Sequence, residues 1–172
     1  MLALQGGELD AFQVLYERHS RAVFALLLRS VGDRRVAEDL LQETFLRVFA
    51  TRQGYQPLAS FRTWLYTIAR HLVVDEVRRR RGAGGPGGGD DVETLVDPQA
   101  SPLQRTEARE LGERLERAVR RLPPAQREVL LLSRVAGLSH DEVAQVTGTS
   151  PGAVRVTLHR ALGRLREVLG PL

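Results

Sequence analysis

The acidic and histidine residues of this chain do not stand where they could act together. His140, Asp141 and Glu142 are consecutive, so on a helix they point in different directions and cannot share a metal. Asp75 and Glu76 are adjacent rather than opposed across a cleft. No HExxH, phosphate loop or nucleophile elbow occurs, and the GAGGPGGG run at 82–89 lacks a preceding strand and a following Lys-Ser/Thr. The absence of cysteine removes disulfides, thiolate metal sites and thiol nucleophiles. No catalytic residue, metal or cofactor is expected. What stands at functional spacing is recognition chemistry, arginine interleaved with aromatic and small polar residues, in two stretches.

The first stretch runs from Leu138 to Glu167. Ser139 caps a helix, and Glu142 three residues later completes a reciprocal capping box. Gly148 ends that helix where a left-handed backbone is needed; Ser150 caps the next, with Pro151 at its first position. Val154, Leu158, Ala161 and Leu165 recur at helical spacing as a buried stripe. Ala144 is small where the helices cross and Val154 plugs the junction. This is the packing logic of a helix-turn-helix, whose second helix enters the DNA major groove; a helical hairpin of another fold is the alternative. Away from the stripe lie Ser150, Arg155, Thr157, His159 and Arg160, and planar guanidinium suits base edges or phosphates.

The second stretch is SFRTWLYTIARHLVVDEVRRRR, capped by Ser60. Phe61, Leu65, Ile68 and Leu72 face inward, with Trp64, His71 and Arg78 along one flank. Tyr66, Arg62 and Arg70 are expected on the outer side. Arg78, Arg79, Arg80 and Arg81 close the helix, more cations than its dipole needs. Exposed aromatics among arginines suit single-stranded nucleic acid, where stacked bases contribute roughly 1–3 kcal/mol each.

Other elements must position these two. Phe12, Leu15, Tyr16, His19, Val23, Leu26 and Leu27 form the wide buried stripe of an opening helix. His19 lies on it as a packed histidine, since no second metal-type residue stands at a matching spacing. Past Gly32 and Asp33, Ala37, Leu41, Phe45, Val48 and Phe49 form the core face of the next helix. Its opposite face carries Asp39, Gln42, Glu43 and Arg47 around Leu46. That pattern is either a solvated face with a Glu43–Arg47 pair or a polar-rimmed docking patch.

The chain has 172 residues, 42% of them hydrophobic, and a formal charge of +4; its 25 basic residues are all arginine. By segment the charge is +4 over residues 1–81, −4 over 82–104 and +4 over 105–172. Two basic units on an acidic, glycine-rich tether are thus expected, with no fixed spacing until a third body holds them. The 82–104 tether would span roughly 25–30 Å as a coil. No run approaches the roughly 18 apolar residues that span a bilayer, so a soluble, cytoplasmic protein is expected. The fold class is all-α: an N-terminal helical domain, 1–81, and a C-terminal four-helix domain, 105–172. In the latter, Leu111, Leu115, Ala118 and Leu122 mark the first helix, and Pro123–Pro124 restart the chain.

Three runs in this order, AEDLLQETFLRVF, then FRTWLYTIARHLVVDEVRRRR, then LPPAQREVLLLSRVAGLSHDEVAQVTGTSPGAVRVTLHRALGRLRE, resemble the extracytoplasmic-function sigma factors of bacterial RNA polymerase. The resemblance spans nearly the whole chain apart from the linker. It implies that Asp39, Gln42, Glu43, Leu46 and Arg47 dock on the clamp helices of the polymerase's largest subunit. Arg62, Trp64, Tyr66, Arg70, His71, Arg78, Arg79 and Arg80, with the loop before them, would recognise and melt the minus-ten element. Ser150, Gly152, Ala153, Arg155, Val156, Thr157 and Arg160 would read the minus-thirty-five element. The acidic linker is similar in position to the segment lying near the RNA path, and an anti-sigma factor is a further implied partner. Two departures stand out: His71 replaces the family's common asparagine, and Val156-Thr157 replaces a small polar residue followed by a basic one. A stand-alone regulator with an N-terminal sensing domain is the competing reading from the residues alone.

Overall fold

The computed structural model describes residues 1–82 and 102–170. Among them are eight α-helices and no strand. A short α1 (Leu2–Gln5) precedes α2 (Asp10–Val31), α3 (Arg34–Ala50) and α4 (Phe61–Gly82). After the linker come α5 (Pro102–Arg120), α6 (Pro124–Arg134), α7 (His140–Thr147) and α8 (Pro151–Leu169). Gly82 closes α4 and Pro102 opens α5; the expectation of a linker over 82–104 otherwise falls on residues 83–101, which lie outside the described residues. No described helix is long and apolar enough to cross a membrane.

Helix boundaries follow from local chemistry. Gly32, at φ 69°, stops α2, and the Asp33 side chain then accepts the Val36 N–H to start α3. Ser60 accepts the Thr63 N–H at the head of α4. Ser139 and Glu142 form the full capping box of α7, Gly148 ends it at φ 69°, and Ser150 accepts the Ala153 N–H to open α8.

In the N-terminal half, α2, α3 and α4 pack around Val23, Leu27, Ala37, Val48 and Leu65, each fully buried. Burial of each such aliphatic side chain contributes roughly 1.5–3 kcal/mol. His19 packs its ring 5.3 Å from Phe61, and burial followed by the nearby Arg18 and Arg62 charges lowers its pKa, so it stays neutral at pH 7. Tyr16 departs from the expected stripe, being 40% exposed at the rim of α2. In the C-terminal half, α6, α7 and α8 enclose Leu132, Val143, Val154 and Ala161. Leu111 and Leu115 of α5, expected inside, are about two-fifths exposed (43% and 41%), and Val119 joins Ala118 and Leu122 as the inner face.

The two halves are not separate bodies. Their buried side chains form one continuous cluster, with α2 against α6 and α4 against α7. The expectation of two units with no fixed separation is corrected accordingly. Each half leaves an apolar helix face that finds its cover on the other.

Candidate nucleic-acid interface

α8 turns its polar face outward because its stripe is anchored. Val154, Leu158, Ala161 and Leu165 are buried, which turns Ser150, Gly152, Ala153, Arg155, Val156 and Arg160 outward, with Thr157 half-buried beside them. The Ser150 hydroxyl is committed to its cap, accepting the Ala153 N–H. Val156 stands out as an apolar side chain 51% exposed between Arg155 and Thr157.

On α3, Leu46 is 62% exposed and ringed by Asp39, Gln42, Glu43 and Arg47. The Glu43–Arg47 ion pair is also present, at 2.8 Å, half-exposed on both sides. Such a pair adds only a few tenths of a kcal/mol and orders the patch rim rather than the fold.

α4 carries the third set, and there the structure divides the expected residues. Tyr66 is a correction: it is 1% exposed, packed in the core, and burial pushes its phenol pKa up. The outer-side placement fails because α4 is covered on two sides, by α2 and α3 and again by α7. Trp64 is half-buried, its ring 5.0 Å from Tyr55 and 6.0 Å from Phe61. His71 and Arg78 face solvent. Arg62 donates to the Ala136 carbonyl, and Arg70 donates to Glu128 at 2.7 Å, both across to the C-terminal half.

The arginine run at the end of α4 has a structural partner that the spacing did not reveal. Glu76 is 8% exposed and accepts two hydrogen bonds from Arg79 and one from Arg80. Arg80 also reaches Asp33 and the Val31 carbonyl, both at 3.3 Å, tying α4 to the α2–α3 turn. The Arg79 hydrogen bonds, with those of Arg80 and both charges, hold the Glu76 carboxyl below its ordinary range against the opposing effect of burial. Arg79 keeps an exposed guanidinium, whereas Arg80 is largely enclosed.

Two more features of this region carry no mark in the sequence pattern. Glu142 caps α7 through Ser139, yet its other oxygen accepts the Ser60 hydroxyl at 2.7 Å, and the Thr63 hydroxyl lies 3.5 Å away. The carboxylate therefore sits between the N-termini of α4 and α7. The Ser139 backbone N–H first, and the Ser60 hydroxyl next, hold its pKa low, with the Arg62 charge assisting and burial opposing. The second feature is Leu58, 87% exposed in the loop before α4. The capping pattern revealed the first role of Glu142; its second partner, 82 residues away, leaves no local signal.

This geometry, a helix-turn-helix with an open reading face behind a helix that interleaves arginine and aromatic residues, has known counterparts. Residues 15–83 match Sigma-70 region 2, and residues 112–165 match Sigma-70, region 4. The chain is 38% identical over its full length, and over 97% of the relative, to the RNA polymerase sigma factor CarQ of Myxococcus xanthus. It is 35% identical to the ECF RNA polymerase sigma factor SigE of Mycolicibacterium smegmatis over 94% of this chain and 62% of that one. The structure of CnrH in complex with the cytosolic domain of CnrY superposes with a TM-score of 0.70, at 27% identity, covering 98% of this chain and 93% of that one. The chain belongs to the ECF sigma factors of RNA polymerase. That membership displaces the stand-alone regulator as the reading of the helix-turn-helix.

Proposed function

We propose that the chain divides into an N-terminal polymerase-docking and minus-ten domain (1–81), an acidic linker (82–104) and a C-terminal minus-thirty-five domain (105–172). It acts in the cytoplasm without catalytic chemistry of its own, lending promoter specificity to core RNA polymerase. Asp39, Gln42, Glu43, Leu46 and Arg47 dock on the clamp helices of the largest subunit. The loop before α4, with Arg62, Trp64, Arg70, His71, Arg78, Arg79 and Arg80, engages the minus-ten strand; Tyr66 supports that surface from beneath. Ser150, Gly152, Ala153, Arg155, Val156, Thr157 and Arg160 line the minus-thirty-five groove. Val156 suits a thymine methyl and Arg155 and Arg160 suit guanine or phosphate. An anti-sigma factor is a further partner; CnrH, which this chain resembles in fold, is itself in complex with the cytosolic domain of CnrY.

The observation that carries this reading is Leu46, an apolar centre 62% exposed in a charged and amide ring, on the opposite side of α3 from its core face. A hydrophobic centre with a polar rim is the anatomy of a docking surface. Glu43→Arg and Leu46→Arg lie outside the core, so both variants should fold and both should lose stoichiometric binding to core polymerase in a native-gel or co-elution assay. Normal binding by both would refute the docking assignment.

A further inference from the structure

Between α2, α4 and α6 the packing leaves a cavity of about 330 Å³ that opens to solvent. Its floor is apolar, made by Leu26 of α2, Val73, Val74 and Val77 of α4, and Leu131 and Leu132 of α6. Its rim is arginine. Arg70, Arg78, Arg81 and Arg127 line it against one acid, Glu128, a surplus of three positive charges (four arginines less one glutamate). Glu128 is already taken by Arg70 at 2.7 Å, and the Ser30 hydroxyl donates to its own helix, at the Leu26 carbonyl. Among the described residues, Arg78, Arg81 and Arg127 have no acidic partner.

Arg127 is the most telling of these. It is partly buried, and its guanidinium makes only a long hydrogen bond, 3.4 Å, to the Arg120 carbonyl. Burial lowers its pKa, since charge there lacks both water and a counter-ion. A cation withdrawn from water without a partner is costly, and a bound anion offsets that cost. Pro124 and Ala125, which open the eleven-residue α6, bring the positive end of that helix to the same mouth.

Size and polarity define the occupant. One turn of helix with its side chains, about 10 Å across and 5.4 Å long, fills roughly 400 Å³, so the space suits a small molecule rather than a partner helix. Small-molecule pockets start at roughly 300 Å³ and pair an apolar lining with a few placed polar groups. An inorganic anion would leave the floor uncovered, and an uncharged hydrocarbon would leave the arginines unpaired.

We propose that this cavity is a binding site for a small amphipathic anion, an aliphatic chain bearing one carboxylate, with the chain on the valine–leucine floor and the head group on Arg81 and Arg127. The occupant bridges α4 and α6, so it stabilises the folded chain by mass action.

The test is calorimetric titration of the full chain with decanoate below its micelle concentration. Decanoate should bind saturably at one-to-one stoichiometry and raise Tm. Acetate carries the head group alone, decanol the chain alone and decyltrimethylammonium the reversed charge; each should bind at least about tenfold more weakly. Arg81→Gln and Arg127→Gln should each weaken decanoate about tenfold, the loss of one charge-assisted hydrogen bond. Ala125→Trp, at an exposed position of the mouth, should block binding. Arg18→Gln and Arg164→Gln, exposed and outside the cavity lining, remove the same charge and should bind decanoate as wild type does. Absence of saturable binding, or a fall in Tm with added decanoate, overturns the site. Equal binding of decanol or of acetate overturns the ligand class. Decanoate binding that survives Ala125→Trp and both arginine variants places the ligand elsewhere and overturns the assignment to this cavity. Should Arg127→Gln fail to fold, Arg81→Gln and Ala125→Trp, both at exposed positions, decide.

Discussion

Replacing Tyr66 by alanine separates packing from base recognition on α4. The side chain is 1% exposed and belongs to the continuous buried cluster, so its removal leaves a ring-sized cavity. Truncating a buried aromatic destabilises by about 3–5 kcal/mol, the lost transfer energy plus the cavity left behind. For a chain of this size each kcal/mol lowers Tm by roughly 2–4 °C, so a fall on the order of 10 °C is expected. Tyr66→Phe retains the ring and should stay within about 1 kcal/mol of wild type. Calorimetry of the protein without DNA reads both. A residue that stacked on a base would behave oppositely: the alanine variant would keep its Tm and lose roughly 1–3 kcal/mol of strand binding. A Tyr66→Ala protein of unchanged Tm with impaired promoter opening would refute the buried placement and the two-sided covering of α4.

Two further predictions concern charge. Glu76 has its folded pKa held below the ordinary 4.5, so its contribution to stability is present above that value and is lost as pH falls through the lowered one. Glu76→Gln should therefore flatten the acid limb of the stability–pH curve below about pH 4.5, measured by urea midpoints, and leave two arginines at the end of α4 without their shared acceptor at neutral pH. Arg155→Ala and Arg160→Ala, both on the exposed face of α8, should leave Tm unchanged and each reduce the salt slope of holoenzyme–promoter binding by about 1; a variant that lowers affinity at one base position only is reading that base.

Much of this architecture is legible residue by residue because its determinants are local. Asp33, Ser139 and Ser150 cap the helices they precede, and Gly32 and Gly148 adopt the left-handed backbone that ends a helix. The α8 stripe of Val154, Leu158, Ala161 and Leu165 is buried as its spacing requires, and the face that the stripe turns outward comes with it. Leu46 is exposed for the same reason: the α3 core face leaves it on the far side. What the spacing hides is anything set by a distant element. One stripe on α4 accounts for Leu65 and Leu72, but Thr63, Tyr66 and Ala69 are buried too. The helix has two covered sides, and a second cover is a property of α7, not of the α4 sequence. Arg70–Glu128 likewise joins residues 58 positions apart, so an arginine that looks available for phosphate is already paired in this structure. Within the arginine run at 78–81, Glu76 accepts hydrogen bonds from Arg79 and Arg80, a partnership three and four residues back that the excess of cations conceals.

The most direct test of the central claim is run-off transcription by core polymerase supplied with this protein over a randomised promoter library. Transcripts should depend on the added chain and come from templates enriched in two sequence blocks at a fixed spacing. Arg155→Ala should alter the upstream block alone and Arg70→Ala should impair the downstream one. Enrichment of a single block, or transcription indifferent to the added protein, would contradict it.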